Sequence, residues 1–404
     1  MPALSAGGIA RLGDAARGPA ASATILAAPM KILHLADVHL DRPFVGVTRD
    51  EARARRADLF ATFRRCLRAA RDHAVDAVTI GGDLWEDEHV TANTRHAVAH
   101  ELGLLEVPVL VIAGNHDPLL PGGAYERTDW PANVHLFRSR EPEECPLADG
   151  VSVWGSSWGA GPLDAGFLRR RLDLDPARVN LLLLHGTAVA VPLFAEDASC
   201  PFDPAAVREA GFARCLAGHI HAGSDDGTVV YPGSPEPLDW SETGQHAYAL
   251  VVVDGPGPVG VTLHVVNRRR YDVLAVDCTG AASSAEVEAR VAAALPPDGV
   301  DLCLSLRLEG AVAAGCRTEA PALADRHRPQ FAALRVTDAT REAIDAEAVA
   351  RRRTVDGAFA RRLLERIAAA DAAGDSALRE TLELALAVGL GAMAGRGDLV
   401  DVDR

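Results

Sequence analysis

The sequence lacks the cysteine spacing of a disulfide framework or of a structural zinc site. Its seven cysteines are scattered along 404 residues, are odd in number and include no CxxC pair. Small secreted domains carry paired cysteines and zinc domains carry closely spaced ones, so the pattern argues against both classes. It predicts free thiols in a reducing compartment, and therefore a cytoplasmic protein.

A long apolar run is also missing. No segment reaches the roughly 20 consecutive apolar residues that span a bilayer, so we expect no membrane association. Residues 1–29 are rich in alanine and glycine but have no continuous apolar core, which argues against a cleaved signal. Because Met30 directly precedes the first predicted strand, we expect residues 1–29 to be a disordered extension or the result of an upstream start.

Excess positive charge is missing as well. The chain has 41 Lys and Arg against 56 Asp and Glu, which gives a net charge of −15 and an isoelectric point of about 5.4. Such a protein does not bind nucleic acid through its bulk charge. Arginines nevertheless cluster at residues 49–71, 169–171, 268–270 and 351–353. Each cluster is either a solvated surface or a local contact for phosphate.

The sequence does contain five short blocks of metal-binding residue types. Most of them follow a run that is typical of a buried strand, at residues 32–36, 77–80, 109–112 and 181–184. The blocks are Asp37-Val38-His39, Gly82-Asp83, Gly114-Asn115-His116-Asp117, His185-Gly186 and Gly218-His219-Ile220-His221. Because ligand sites in open α/β sheets lie at the carboxyl ends of strands, we expect the blocks to converge at one sheet edge.

The mixture of Asp, Asn and His predicts a centre for two divalent cations. Two cations about 3.5–4 Å apart clamp the attacking and leaving oxygens of a phosphoryl displacement. Such a pair needs a bridging carboxylate, and Asp83, which stands alone after its strand, is the candidate. Asp37 and His39 stand two residues apart at a strand end, and we expect a small backbone adjustment to bring both to one metal. Oxygen and nitrogen ligands without a thiolate favour Mn, Fe or Zn over Ca.

The order of these blocks, D-x-H, G-D, G-N-H-D, H and G-H-x-H, resembles the calcineurin-like metallophosphoesterase family. Within that family the chain is similar to the SbcD-type DNA repair exonucleases. Three stretches carry this similarity: HLADVHLDRPF at 34–44, GGDLW at 81–85 and YPGSP at 231–235. The resemblance covers residues 30–270 strongly and the remainder only in layout.

The resemblance implies a role for each polar residue of the blocks. It implies two ligand sets that share Asp83: Asp37, His39 and His221 complete the first, and Asn115, His185 and His219 complete the second. His116 would be the catalytic histidine, acting as a general acid or holding the phosphate. The cofactor would be two divalent metal ions, Mn²⁺ first, with Fe or Zn as alternatives.

Several residues near the blocks have two interpretations. Asp41 and Asp117 flank ligand motifs, and each either accepts a hydrogen bond from a neighbouring imidazole or caps a turn. His34 lies inside the first strand and is expected to be structural or to support a ligand. A histidine in isolation is more often structural, and only the whole set of blocks favours a metal centre.

The strand and helix pattern divides the chain into regions. Residues 31–113 alternate strand and helix, and the chain becomes strand-rich after residue 130. This predicts a mixed α/β and α+β fold over residues 30–270, with two facing sheets flanked by helices, the four-layer β-sandwich of the resembled family. Residues 271–340 are predicted to form a small α+β capping domain. Residues 341–404 are predicted to be helical, and either pack on the core or dock a partner.

Three functions are compatible with these features. The first is a two-metal DNA nuclease of the SbcD type, for which the resemblance implies DNA as substrate, an SbcC/RAD50-like coiled-coil ATPase as partner, and a homodimer. The second is a small-molecule phosphatase or cyclic-nucleotide phosphodiesterase with the same centre. The third is a non-catalytic scaffold. The capping domain and C-terminal helices favour the first, the acidic charge favours the second, and the complete ligand set argues against the third.

Overall fold

The computed structural model describes residues 28–147, 150–189, 199–255 and 257–394. It divides into two compact units, with the boundary between Arg270 and Tyr271. The expected N-terminal extension, residues 1–29, lies outside the described residues except for its last two. Within the described ranges, no helix is both long enough and apolar enough to cross a membrane.

The first unit contains twelve strands and three α-helices within its described residues. In chain order they are β1 (Met30–Leu35), α1 (Arg49–Asp72), β2 (Ala77–Gly81), α2 (Ala92–Gly103), β3 (Val109–Ile112), β4 (Val134–Leu136), β5 (Glu143–Pro146), β6 (Val151–Gly155), β7 (Val179–His185), α3 (Pro204–Glu209), β8 (Arg214–Gly218), β9 (Ser224–Asp225), β10 (Val229–Tyr231), β11 (Ala247–Val253) and β12 (Gly260–Val265). A short 3₁₀ helix, Ala165–Arg169, precedes β7. The strands and helices predicted over residues 31–113 are confirmed, with ends that differ by two residues at most.

These strands form two six-stranded sheets. The first has the order β12-β11-β1-β2-β3-β4, and the second has the order β5-β6-β7-β8-β10-β9. In the first sheet β1 to β4 are parallel, while β11 pairs antiparallel with β1. In the second sheet β6, β7, β8 and β10 are parallel. Parallel strands place several carboxyl ends at the same edge of each sheet, as the sequence pattern requires.

Three apolar layers hold the first unit together. Successive residues of β1 face opposite sides of the sheet, because side chains alternate along a strand. Leu33 packs in the cluster that contains Phe63 of α1, whereas Ile32 packs in the cluster that contains Leu181 and Leu183 of the second sheet. The outer face of the second sheet packs on the 3₁₀ helix and α3 through a third cluster. The layers are therefore helix, sheet, sheet and helix, which confirms the predicted four-layer sandwich.

Helix α1 shows how local sequence signals set an element. Thr48 accepts a hydrogen bond from the Glu51 N–H while the Glu51 carboxylate accepts the Thr48 N–H, so a capping box begins the helix. Helix α1 also carries the arginine cluster at residues 49–71, and some of these arginines make structural contacts. The Arg64 side chain pairs with Glu101, and the Arg55 guanidinium donates to the Leu238 carbonyl.

The arginine run 268–270 anchors the end of the first unit. Buried Glu236 accepts the backbone N–H groups of Arg268 and Arg269, each at 2.7 Å. The side chains of the same two arginines pair with the carboxylate of buried Asp58. The structure therefore supports a structural role for this run.

The second unit is built around a small sheet and a helical layer. Its elements are β13 (Arg270–Asp277), α4 (Ser284–Ala294), β14 (Leu302–Glu309), β15 (Ala311–Val312), α5 (Ala320–His327), β16 (Ala333–Asp338), β17 (Arg341–Glu342), α6 (Ala346–Ala350), α7 (Val355–Ala372) and α8 (Ser376–Met393). The main sheet has the order β13-β14-β16. One apolar cluster lies between this sheet, α4 and α5, and a second lies among α6, α7 and α8. Residues 271–340 contain strands and helices, as predicted, and helices follow residue 340. Residues 395–404 lie outside the described residues, and the division at residue 340 stays a prediction.

Candidate metal centre

The five sequence blocks converge at one edge of the sandwich. The Asp37, Asp83 and Asn115 side chains follow β1, β2 and β3 of the first sheet, and His185 and His219 end or follow β7 and β8 of the second. Strands that end at the same edge bring these side chains together, as expected. The centre therefore lies between the two sheets and takes ligand atoms from both.

The backbone at these strand ends adopts conformations that residues other than glycine seldom occupy. Asp37, His39, Asp83 and His219 have φ angles of 54°, 49°, 50° and 102°. Such left-handed conformations cost free energy and are concentrated at functional sites. The turn at Asp37 and His39 is the backbone adjustment expected from the sequence. Residues two apart lie on the same face of a regular strand, and with this turn the ligand atoms of both side chains lie within 4.8 Å of each other.

Asp37, His39 and His221 form the first group of candidate ligands. One ligand atom from each lies within 4.8 Å of the other two. The Nε2 atoms of His39 and His221 face each other at 3.2 Å. Each ring directs its other nitrogen, Nδ1, toward a carboxylate: Glu86 Oε1 at 2.9 Å from His39, and Glu242 Oε1 at 2.6 Å from His221. A carboxylate can only accept, so Nδ1 of each ring donates and Nε2 is the nitrogen that faces the other ring.

Asn115, His185 and His219 form the second group. His185 donates its Nδ1–H to the Gly81 carbonyl at 2.8 Å, so Nε2 is the nitrogen that faces Asn115 Oδ1 at 2.9 Å. His219 Nδ1 lies 3.2 Å from the same oxygen. These contacts bring together atoms that are acceptors in neutral side chains.

Asp83 lies between the two groups. Its Oδ2 atom is 3.5 Å from His39 Nε2 and 3.3 Å from His185 Nε2. Its other oxygen accepts the backbone N–H of His116 at 2.9 Å. A side chain on Gly114 would collide with this carboxylate, so the glycine makes the close approach possible. The position between both groups is the one that a bridging carboxylate needs.

The donor set fits divalent cations. Asp37, His39, Asp83 and His185 are almost completely buried. Burial lowers the pKa of His185, but the Asp83 and Asp37 carboxylates outweigh burial and raise it to about 9. Burial also raises the pKa of Asp83, but His185 and His39 outweigh it and hold that pKa well below its usual range. A buried cluster of carboxylates and imidazoles needs cations between its members, and metal ions would displace protons there.

His116 lies beside both groups and is the most accessible of the predicted site residues. Its side chain is 42% exposed, and its ring contacts that of His39 edge-on, with centroids 4.9 Å apart. Nδ1 of His116 lies 2.9 Å from Glu86 Oε2, and this hydrogen bond is the main reason that the pKa of His116 is raised. Glu86 therefore holds one nitrogen of His116 and leaves Nε2 for a substrate.

Two functional candidates were missed by sequence reasoning, namely Glu86 and Glu242. Glu86 joins His39 and His116, and Glu242 joins His221 to Ser234 and the Leu238 backbone. Glu86 stands three residues after Asp83, directly beyond the GGDLW stretch, so proximity to a ligand was its only sequence signal. Glu242 lies seven residues after YPGSP, and no sequence motif marked it as functional.

Asp41 and Asp117 take the second of the two roles considered for them. Asp41 accepts the N–H of Thr91, at the start of α2. Buried Asp117 accepts the N–H groups of Asp83, Leu84 and Gly114 and the hydroxyl of Tyr125. Each carboxylate caps a turn, and the carboxylates that accept from imidazoles are Glu86 and Glu242. Asp117 nevertheless supports the centre, because it joins the turns that carry Asp83 and Asn115.

Comparisons with known proteins agree with this site. Residues 30–223 match the model of the calcineurin-like phosphoesterase family. The uncharacterized metallophosphoesterase YhaO of Bacillus subtilis is 30% identical over 298 residues, which cover 70% of this chain and 72% of that protein. The chain therefore belongs to the calcineurin-like metallophosphoesterases, and it is a metal-dependent hydrolase of phosphate esters.

More specific relatives are matched over shorter lengths. The DNA double-strand break repair protein Mre11 of Methanopyrus kandleri is 30% identical over 239 residues, which cover 53% of this chain and 50% of that protein. The chain thus matches only half the length of this relative. A dimetal phosphatase from Danio rerio aligns with 59% of this chain and 99% of its own, at 14% identity and a TM-score of 0.34, which is too low for any inference.

Proposed function

We propose that this protein is a two-metal-dependent DNA nuclease of the SbcD type that acts in DNA repair. The observation that carries the proposal is the convergence of six candidate ligands around Asp83, with the His116–Glu86 pair beside them. The likeness to Mre11 repair proteins supports DNA as the substrate. The acidic net charge instead favours a small phosphate ester or a cyclic nucleotide, which the experiment below includes.

The geometry of the two groups supports the ligand assignment that the family resemblance implies. Asp37, His39 and His221 would hold one metal, Asn115, His185 and His219 the other, and Asp83 would bridge them. When bound, two such cations act as Lewis acids that stabilise the charge developing on phosphate. Nitrogen and oxygen ligands without a thiolate support Mn²⁺ as the native metal, with Fe or Zn as alternatives.

The residues of this chain orient the His116 ring and supply a proton to the leaving oxygen. Glu86 accepts the Nδ1–H of His116 and so fixes the orientation of its ring. His116 Nε2 then holds the phosphate or donates a proton to the leaving oxygen. The hydrogen bond that His116 donates to Glu86 favours the protonated ring, which is the form that can act as an acid. Glu242 likewise holds the ring of His221 toward the metal.

An apolar groove in the second unit supports the proposed ATPase partner. An apolar groove of about 440 Å³ lies between α7, α8 and β17. Leu384 of α8 lines it and is 66% exposed, and Leu378 of the same helix is 41% exposed. A groove beside an amphipathic helix suits a partner helix. This supports the proposed contact with an SbcC/RAD50-like ATPase, and the cytoplasmic location and the homodimer belong to the same proposal.

The test is a Mn²⁺-dependent hydrolysis assay. Labelled linear duplex DNA and single-stranded DNA are compared with bis-p-nitrophenyl phosphate and a cyclic nucleotide, for the wild type and His116→Ala. We expect DNA hydrolysis that falls by about 100-fold or more in His116→Ala, while elemental analysis finds its metal content unchanged.

Two outcomes would contradict this proposal. Hydrolysis of the small esters with intact DNA would replace the nuclease by a small-molecule phosphodiesterase. An unchanged rate in His116→Ala would remove the role assigned to His116.

A further inference from the structure

A partly buried arginine stands beside the candidate metal centre. The Arg42 backbone N–H donates to the His39 carbonyl at 3.1 Å, and Asp41 between these residues has a φ of 60°. The Asp41 carboxylate accepts the Thr91 N–H at 2.9 Å, which holds this turn against the start of α2. The backbone of Arg42 is therefore fixed relative to the candidate ligands.

The guanidinium of Arg42 uses few of its N–H donors within the described part of the chain. Its Nη1 lies 3.4 Å from Glu86 Oε1, and the side chain is 28% exposed. Within the described part of the chain, this is its only side-chain hydrogen bond. A guanidinium carries five N–H donors in a planar fork, and such a fork matches the oxygens of a phosphate. A half-buried arginine with most of its donors unused is therefore suited to an anionic ligand.

The position of Arg42 limits which phosphate it can reach. Glu86 binds the Nδ1 atoms of His39 and His116, whereas Nε2 of His39 faces Asp83 and His221. Because Arg42 contacts Glu86, it lies on the Nδ1 side of these rings. Arg42 contacts Glu86, which in turn contacts the imidazoles, so Arg42 is farther from the candidate metal centre than the imidazoles are. A phosphate at the metal centre would lie on the Nε2 side, so Arg42 would reach only a more distant group of the same ligand.

We propose that Arg42 is a specificity-determining residue that binds the phosphate next to the one being hydrolysed. This inference rests on the proposed function, because a polynucleotide offers such a second phosphate and a simple ester does not. Arg42 would thus make the centre prefer a strand with several phosphates to an ester with one.

The experiment compares nitrophenyl esters of thymidine that differ by one phosphate. One substrate is a thymidine p-nitrophenyl phosphate, and the other carries an additional phosphate on its second hydroxyl. Both positional isomers are used, with the nitrophenyl ester at the 5′ or the 3′ position. The proteins are the full chain as wild type, Arg42→Ala, Arg42→Lys and, as a matched control, Arg68→Ala, which removes an exposed arginine of α1.

We expect the wild type to have the lower KM for a two-phosphate ester. Arg42→Ala should raise that KM by about tenfold, as expected for one charged hydrogen bond, and leave the KM of the one-phosphate ester within about twofold. Arg42→Lys should restore part of the loss, Arg68→Ala should behave as the wild type, and the metal content of all variants should be equal by elemental analysis.

Each other result overturns the inference. If the wild type has equal KM values for both esters, it has no second phosphate site. The phosphodiesterase function would still stand. An equal loss for both esters in Arg42→Ala, with lower metal content, would mean that Arg42 acts only by holding Glu86. A wild type that hydrolyses no nucleotide ester would overturn the proposed function, and this inference with it.

Discussion

Each imidazole of the first ligand group uses its two nitrogens for different purposes. Nδ1 of His39 and of His221 donates to a glutamate, so Nε2 is the nitrogen that faces the centre. The carboxylate sets the tautomer and the ring orientation, and it also makes the ring a stronger ligand. Glu86 serves His39 and His116 together, so one residue couples a candidate ligand to the candidate acid.

Asp83→Ala should abolish binding of both metals. The Asp83 carboxylate lies within 3.5 Å of a histidine from each ligand group, and without it both cations lose their shared anionic ligand. Elemental analysis of the purified variant checks this prediction, with circular dichroism as the control for folding. Two metal ions per chain in a folded Asp83→Ala would contradict the bridging role.

Glu242→Gln should weaken one metal site and leave the other. Glu242 contacts His221 but none of Asn115, His185 and His219, and loss of such a supporting carboxylate reduces metal affinity by about tenfold or more. Calorimetric titration with Mn²⁺ measures both sites. Glu101→Gln, which alters only a contact with Arg64 of α1, is the matched control. Unchanged affinity at both sites would show that Glu242 does not position His221.

At the scale of elements, the two sheets are joined by a buried histidine as well as by apolar packing. His34 of β1 lies 3.2 Å from the Ala217 carbonyl of β8 through Nε2, and 3.0 Å from Thr79 Oγ1 through Nδ1. Since a carbonyl can only accept, Nε2 carries the proton and Nδ1 accepts from the threonine hydroxyl. The neutral ring therefore ties the two sheets together, which is one of the two roles expected for it.

This histidine should make the protein less stable in mild acid. Burial lowers the pKa of His34 from 6.5 to about 4. The unfolded chain therefore binds a proton between these values that the folded protein does not. The free energy of unfolding is fully retained above pH 6.5 and falls as the pH drops toward 4. By linkage, His34 should account for a loss of about 2 kcal/mol between pH 7 and pH 5.

The check is urea unfolding at pH 7 and pH 5. His34→Gln should lose less stability over this interval than the wild type, whatever its stability at pH 7. His96→Gln, which changes an exposed histidine of α2, should follow the wild type. Equal losses in His34→Gln and the wild type would mean that other groups dominate the acid response.

At the scale of the whole molecule, the candidate centre belongs entirely to the first unit. All its candidate ligands, together with Glu86 and Glu242, precede the boundary at Arg270, and the two units have separate apolar clusters. A fragment of residues 28–270 should therefore fold and bind metal as the full chain does. Its rate on bis-p-nitrophenyl phosphate should stay within about twofold, because a compact unit with its own core folds alone. A fragment that does not bind metal would show that the second unit is needed to stabilise the centre.

The sequence by itself determined the ligand types, their order and most of the elements. A buried strand followed by a polar block can be recognised locally, because strand length, apolar runs and turn residues are properties of short segments. Asp37, Asp83, Asn115 and His185 were predicted in this way, and so were the strands and helices around them.

Only the tertiary structure decided which side chains support these ligands. Glu86 and Glu242 act across 47 and 21 residues of chain from His39 and His221, and Asp117 caps turns instead of holding an imidazole. The same holds for His34, whose partner Ala217 is 183 residues away on the other sheet. Such contacts depend on how two sheets pack, and no local pattern records that packing. Sheet pairing therefore determines the surroundings of the candidate centre, whereas local sequence determines its ligands.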